Sequence, residues 1–126
     1  MAGVSSLELG VIGNSSVSAL VDSGGDICWS CMPRVDADPV FCSLLRERGG
    51  TEDFGFLAIE LDGVVRTEQE YVHSTPVLIT RLYNASGGAV EITDFAPRFR
   101  QFGRLFCPGQ LIRSVKPLGG SPLVRV

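Results

Sequence analysis

The chain of 126 residues has no apolar run near the roughly 20 residues a membrane helix needs. Its first residues lack the basic start and uninterrupted apolar segment of a secretory signal, so a cytoplasmic setting is expected. Charge is sparse, with 20% charged residues and a formal net charge of −3, which gives no electrostatic footprint for nucleic acid or an anionic membrane. Lysine is almost absent, Lys116 being the only one among eleven Lys and Arg; there is one histidine, His73, and one tryptophan, Trp29. Only four cysteines are present, Cys28, Cys31, Cys42 and Cys107. A domain of this size buries a core without disulfide staples, so four free thiols are expected. The lone Cys28-Trp29-Ser30-Cys31 segment has no second CxxC to complete a zinc set, and it sits in a strand-like run rather than at a helix N-terminus. On a regular strand thiols three apart face opposite sides. No metal and no cofactor are expected. Asp36 and Asp38 flank Ala37 in a loop and are read as loop and capping residues, so no catalytic residue is assigned.

What the chain does have is 44% hydrophobic residues punctuated by 15 glycines and 7 prolines, the pattern of many short strands joined by turns. The stretch 9–38 organises the rest. Val17, Ala19 and Val21 alternate with Ser16, Ser18, Leu20 and Asp22, a pattern that Leu20 blurs, Ser23-Gly24-Gly25-Asp26 supplies a turn, and Ile27, Trp29 and Cys31 are expected to return on one face with Trp29 as a core anchor. Met32-Pro33-Arg34-Val35-Asp36-Ala37-Asp38-Pro39 must then leave the sheet, because its prolines lack a donor and its carboxylates compete for backbone N–H groups. One helix is predicted over 39–48, with Asp38 capping, Pro39 in the first position and Gly49-Gly50 stopping it.

Downstream, Asp62-Gly63 between 54–61 and 64–72 predicts a two-residue hairpin, and 77–83 with 89–95 predict another across Asn84-Ala85-Ser86-Gly87-Gly88. Residues 97–108 read as a long loop in which Phe99, Phe102 and Phe106 alternate with Arg98, Arg100 and Arg104. The strand pattern resumes over 110–116 and 123–126. With no repeat and no linker, the chain is read as one all-β domain, an antiparallel β-sandwich with one short helix, over residues 1–126.

Gly10-Val11-Ile12-Gly13-Asn14, Ala19-Leu20-Val21, Gly25-Asp26-Ile27, Trp29-Ser30-Cys31-Met32-Pro33-Arg34 and Asp36 resemble the opening of the trehalase-like N-terminal domain of prokaryotic glycoside hydrolase family 15 proteins. Phe41, Leu44-Leu45, Tyr71, Val77-Leu78 and Glu91-Ile92-Thr93-Asp94-Phe95-Ala96-Pro97 follow the same pattern. The chain departs from the family where Cys28 stands for an aspartate, Val35 for a phenylalanine and Ala37 for a serine. The resemblance implies a partial supersandwich, truncated at its C-terminal end. It also implies a non-catalytic role beside an absent helical (α/α) toroid that carries the catalytic glutamates of an α-glucoside hydrolase of glucoamylase or trehalase type. Trp29, Arg34 and Asp36 are the substrate-proximal or interdomain candidates; an Arg34–Asp36 pair that merely holds the loop is the competing reading. The alternative function is a free-standing carbohydrate-binding module, for which the single tryptophan is poor material. Expected partners are the catalytic domain and an oligosaccharide, with no nucleic acid and no membrane. A half sheet with open edges is also expected to form a homodimer, with residues 97–108 reaching the neighbour.

Overall fold

A computed structural model describes residues 8–45 and 55–126. Strands β1 (Gly10–Gly13), β2 (Ser18–Val21), β3 (Ile27–Cys31) and β4 (Pro39–Phe41) form an antiparallel meander in chain order. A second four-stranded sheet contains β6 (Val64–Tyr71), β7 (Leu78–Asn84), β8 (Ala89–Phe95) and β11 (Ile112–Gly119), in the order β11-β8-β7-β6. Two short antiparallel ribbons complete the fold: β5 (Glu60–Leu61) with β12 (Val124–Arg125), and β9 (Phe99–Gln101) with β10 (Arg104–Phe106). The all-β antiparallel sandwich expected from the turn-rich composition is what forms.

Strict alternation on the two central strands creates the core. Leu78, Thr80 and Leu82 on β7 and Val90, Ile92 and Asp94 on β8 are buried, while the residues between them are half-buried on the other face. The meander covers one end of this inner face with Ile12, Ala19, Val21 and Ile27 against Leu78. The other end is covered by Ile59 and Leu61, which pack with Leu82, Val90 and Ile92. The outer face is polar, with Arg81 bridging Glu91 at 3.0 Å and Glu70 at 2.6 Å, and the Arg66 guanidinium 4.2 Å above the Tyr83 ring.

Four local expectations change. In the β2–β3 pairing Leu20 faces Trp29 but Val21 faces Ile27, so Cys28 is an extra residue in a bulge. The bulge puts Ile27 and Ser30 on the core face with Val21 and Ala19, and turns Trp29 with Leu20 to the other side, half-buried rather than a core anchor. It also removes the simple alternation on which opposite facing of Cys28 and Cys31 rested; both are buried free thiols. The Cys28 thiol lies 3.5 Å from the Leu20 carbonyl, and burial together with the Asp22 carboxylate pushes its pKa up, which disfavours a reactive thiolate.

The first turn of the expected helix is instead strand β4, because Pro39 and Phe41 pair with Cys31 and Ser30 at a sheet edge where a proline is tolerated. Asp38 therefore precedes a strand and caps nothing; one 3-10 turn, Ser43–Leu45, follows, and the remainder of the predicted helix lies outside the described residues. Asp62-Gly63 joins strands of different sheets, since β5 pairs with β12 and β6 with β7. Finally, the segment expected as a long loop over 97–108 contains the β9–β10 hairpin. The β7–β8 hairpin forms as expected, with the Asn84 carboxamide oxygen accepting from the N–H groups of Ser86 and Gly88 at 3.1 and 2.7 Å.

The β2–β3 turn is the keystone between the layers. Asp22 Oδ1 accepts from the N–H groups of Gly24 and Asp26, each at 2.9 Å, and the Gln69 amide donates to the Asp22 carbonyl at 2.8 Å. Gly25 sits at φ +85°, and a Cβ there would meet Ile92 and Thr80 at 3.3 Å, so only glycine suits the position. The Asp26 carboxyl beside it is raised to about 6, chiefly by burial, then by Asp22, with Glu60 adding and Arg113 opposing. A folded-state value above the ordinary 3.8 means that stability is fully present below the unfolded value and is lost as pH rises to about 6. Asp26→Asn should therefore raise the unfolding free energy at pH above 6, by about 1 kcal/mol after allowance for solvent screening, and the urea midpoint with it. It should leave the midpoint near pH 3 unchanged; equal gains at both pH values would contradict this assignment.

Candidate functional site

One end of the sandwich gathers three features, and the residue that joins two of them is Asn14 in the β1–β2 turn. Its side chain is buried, with 4% of the residue exposed. The amide nitrogen donates to the carbonyls of Pro97 at 2.8 Å and Pro108 at 2.7 Å, and the oxygen accepts from the N–H groups of Ser16 at 3.0 Å and Val17 at 3.2 Å. Both donors and both acceptor positions of the carboxamide are used. The two prolines mark the base of the β9–β10 hairpin, so one carboxamide clamps both stems to the sandwich. An Asn-Ser-Ser triplet begins at this residue, but a buried amide committed to four hydrogen bonds is no glycan acceptor.

Beside this clamp, residues 32–38 leave β3 and turn tightly, with the Ala37 N–H donating to the Arg34 carbonyl at 3.1 Å. Arg34 and Asp36 meet in a two-bonded fork, Nε to Oδ1 at 3.0 Å and Nη2 to Oδ2 at 2.9 Å. Both side chains are well exposed, 73% and 65%, so the pair contributes about 0–1 kcal/mol and does little to hold the fold. Chemically it offers a planar donor array and a carboxylate side by side, suited to hydroxyls or to a polar protein surface. Trp29 stands apart from the fork on β3, opposite Leu20. The structure thus brings Arg34 and Asp36 together and leaves Trp29 on the strand that delivers them. A cavity of about 340 Å³ opens between Met32, Phe41 and Leu57 on one side and residues 109–113 on the other.

The floor of that end is fixed by Arg113 on β11. Its guanidinium donates to the Asp94 carboxylate through Nε at 2.7 Å and Nη2 at 3.0 Å, to the Leu57 carbonyl at 2.9 Å, and to the Gly25 carbonyl. The Asp94 side chain is wholly buried. Burial raises its carboxyl above the usual range, while Arg113 pulls it partly back. This pair ties β8 and β11 to the β2–β3 turn and to residue 57, across both layers. Neither Asn14 nor the Asp94–Arg113 pair was singled out as an anchor by sequence reasoning.

Among the described residues no three His, Cys, Asp or Glu side chains converge as a metal set, and no helix is long and apolar enough to cross a membrane. The fold and this end together define an antiparallel β-sandwich domain that presents a tethered hairpin, an ionic fork and a cavity at one pole. The chain belongs to the trehalase-like N-terminal domain family, whose family model matches residues 4–115. It is 36% identical over 89 residues to trehalase 1 of Sulfolobus acidocaldarius, a match covering 71% of this chain and 15% of that protein. It is 32% identical over 101 residues to a trehalase of Thermoplasma volcanium, covering 79% of this chain and 15% of that one. The chain thus spans about 15% of the length of these curated relatives. No solved structure matches it significantly.

Proposed function

We propose that this chain is a non-catalytic N-terminal sandwich domain that supports the catalytic portion of an α-glucoside hydrolase of trehalase or glucoamylase type. On this reading Arg34 and Asp36, with Trp29 on the strand that leads to them, form the interdomain or substrate-proximal rim. The observation that carries the reading is the similarity to two trehalases over most of this chain and a small fraction of each relative. Within the candidate site the two carboxylates are held by cations, Asp36 by Arg34 and Asp94 by Arg113, which suits a supporting role there.

The test is complementation. The chain alone should release no glucose from trehalose or maltose. Added to a Thermoplasma volcanium trehalase lacking its matched segment, it should raise trehalose hydrolysis at least tenfold, and Arg34→Ala should reduce that gain without unfolding the chain. A folded chain that gives no gain defeats the proposal. Stoichiometric binding of maltose or trehalose to the chain alone, read by calorimetry, would instead establish the carbohydrate-binding module.

A further inference from the structure

The β9–β10 hairpin exposes more apolar surface than its own fold requires. Phe102 at its tip is 90% exposed, and Phe99, Leu105 and Phe106 are 45%, 48% and 38% exposed. Phe99 and Phe106 pair across the ribbon and stack with centroids 5.4 Å apart. The tip residues Phe102 and Gly103 both have positive φ, 50° and 70°. Asparagine or aspartate would suit the first of these positions better than a bulky aromatic. Arg98, Arg100 and Arg104 surround the apolar tip, all exposed and none in an ion pair with a described residue. The hairpin does not hang loose, because Asn14 holds both its stems.

A matching receptor lies at the opposite pole of the same molecule. A cavity of about 620 Å³ has an apolar floor that includes Ile59, Leu61 and Leu82, and its rim carries Asp26, Glu60 and Asp62. Among the described residues Glu60 has Arg125 at 3.8 Å and Asp26 feels the Arg113 guanidinium, while the Asp62 carboxylate has no ion-pair partner. We propose that the β9–β10 hairpin is a docking arm that seats Phe102 in this acidic cavity of a second copy of the chain. The inference stands independently of the trehalase reading.

Charge favours that occupant: three guanidinium groups with no ion pair among the described residues surround an aromatic tip, and the cavity presents three carboxylates against one guanidinium, Arg125, around an apolar floor. The poles also suit closure. The arm leaves the sheet beyond Phe95, where β8 pairs with Ile112, whereas the cavity lies at the Leu82 end of β7. Two copies laid antiparallel therefore place each arm at the other's cavity, a self-complementary two-fold arrangement. Because the hairpin is already paired with itself, it docks as a unit and lends no strand to the neighbour's sheet.

Sedimentation equilibrium at micromolar concentration should report a dimer that weakens at high salt. Phe102→Asp should weaken it at least tenfold, with the circular dichroism unchanged because the side chain is outside the fold. The arm-reversed variant Arg100→Glu/Arg104→Glu and the cavity-reversed variant Asp62→Arg should each be largely monomeric, while their equimolar mixture regains the dimer, since both contacts are then complementary. A monomer at every concentration, a dimer that survives Phe102→Asp, or reversed variants that fail to pair on mixing would each overturn the proposal.

Discussion

Arg113→Leu is expected to cost about 3–5 kcal/mol of folding stability, because it strands a wholly buried carboxylate without its counter-ion. Two effects contribute. The Asp94 carboxylate loses both of its hydrogen bonds to the guanidinium, and the carbonyls of Gly25 and Leu57 lose a donor at the seam between the layers. An orphaned buried acceptor costs roughly 1–3 kcal/mol, whereas an uncompensated buried charge costs more, so the carboxylate dominates. Removing the charge as well, in Arg113→Leu/Asp94→Leu, should therefore recover part of the loss; what is not recovered falls chiefly on the Gly25 carbonyl, since the Leu57 carbonyl keeps the Ile27 N–H at 2.9 Å. Arg113→Lys should rescue poorly, since a compact ammonium does not reach two carboxylate oxygens and two carbonyls at once.

The pH dependence separates these terms. Burial already lifts the Asp94 carboxyl, and Arg113 opposes the lift. With Arg113 gone the folded-state value rises further, so the penalty is present at neutral pH and fades as pH falls to the unfolded value, where folded and unfolded chains are both protonated. Urea titrations of Arg113→Leu should show a deficit at pH 7 that is clearly smaller near pH 4. A deficit independent of pH would mean that packing, not the buried charge, holds the seam. Since a domain of this size has only about 5–15 kcal/mol in total, the variant at pH 7 is expected to sit close to its unfolding threshold.

Much of this architecture is legible in the sequence where one physical signal governs. Alternation along 77–83 and 89–95, with a five-residue Asn-to-Gly turn between them, gives the β7–β8 hairpin almost to the residue. The signals fail where tertiary pairing competes with a local cue. Pro39 after Asp38 looks like a helix start, yet the edge of β3 recruits the same residues as a strand. Asp62-Gly63 is a good turn whatever it connects, and local chemistry carries no information on whether its flanking strands share a sheet. Trp29 was misplaced because a bulge at Cys28 shifts the alternation by one, which no periodicity reveals in advance. In the candidate site, Arg34 and Asp36 lie two apart in a turn-rich loop, so their pairing was readable; Asn14 was not, because its partners at Pro97 and Pro108 are more than eighty residues away.

Asn14 is where the second large effect is expected. Asn14→Asp preserves size and keeps an oxygen for the Ser16 and Val17 amides, but it replaces the donor facing the Pro97 and Pro108 carbonyls by a second acceptor. Two carbonyl oxygens that now sit 2.8 and 2.7 Å from an amide nitrogen would confront a carboxylate oxygen, so the stems must part or the group must protonate. The loss should be roughly 2–4 kcal/mol at pH 7, from the Pro97 carbonyl left without its donor, the repulsion at the Pro108 carbonyl, which keeps only the Gln110 N–H at 2.8 Å, and a partly desolvated charge. It should diminish at low pH, where the protonated acid donates one bond back. Asn14→Ala should lose a similar amount with no such pH dependence. Either change frees the hairpin before it unfolds the sandwich, so trypsin should cut after Arg100 and Arg104 at least ten times faster than in the parent chain while Trp29 fluorescence stays native. Cleavage that accelerates only in step with global unfolding would show that the hairpin is held by its own stacked phenylalanines and that the Asn14 clamp is incidental to it.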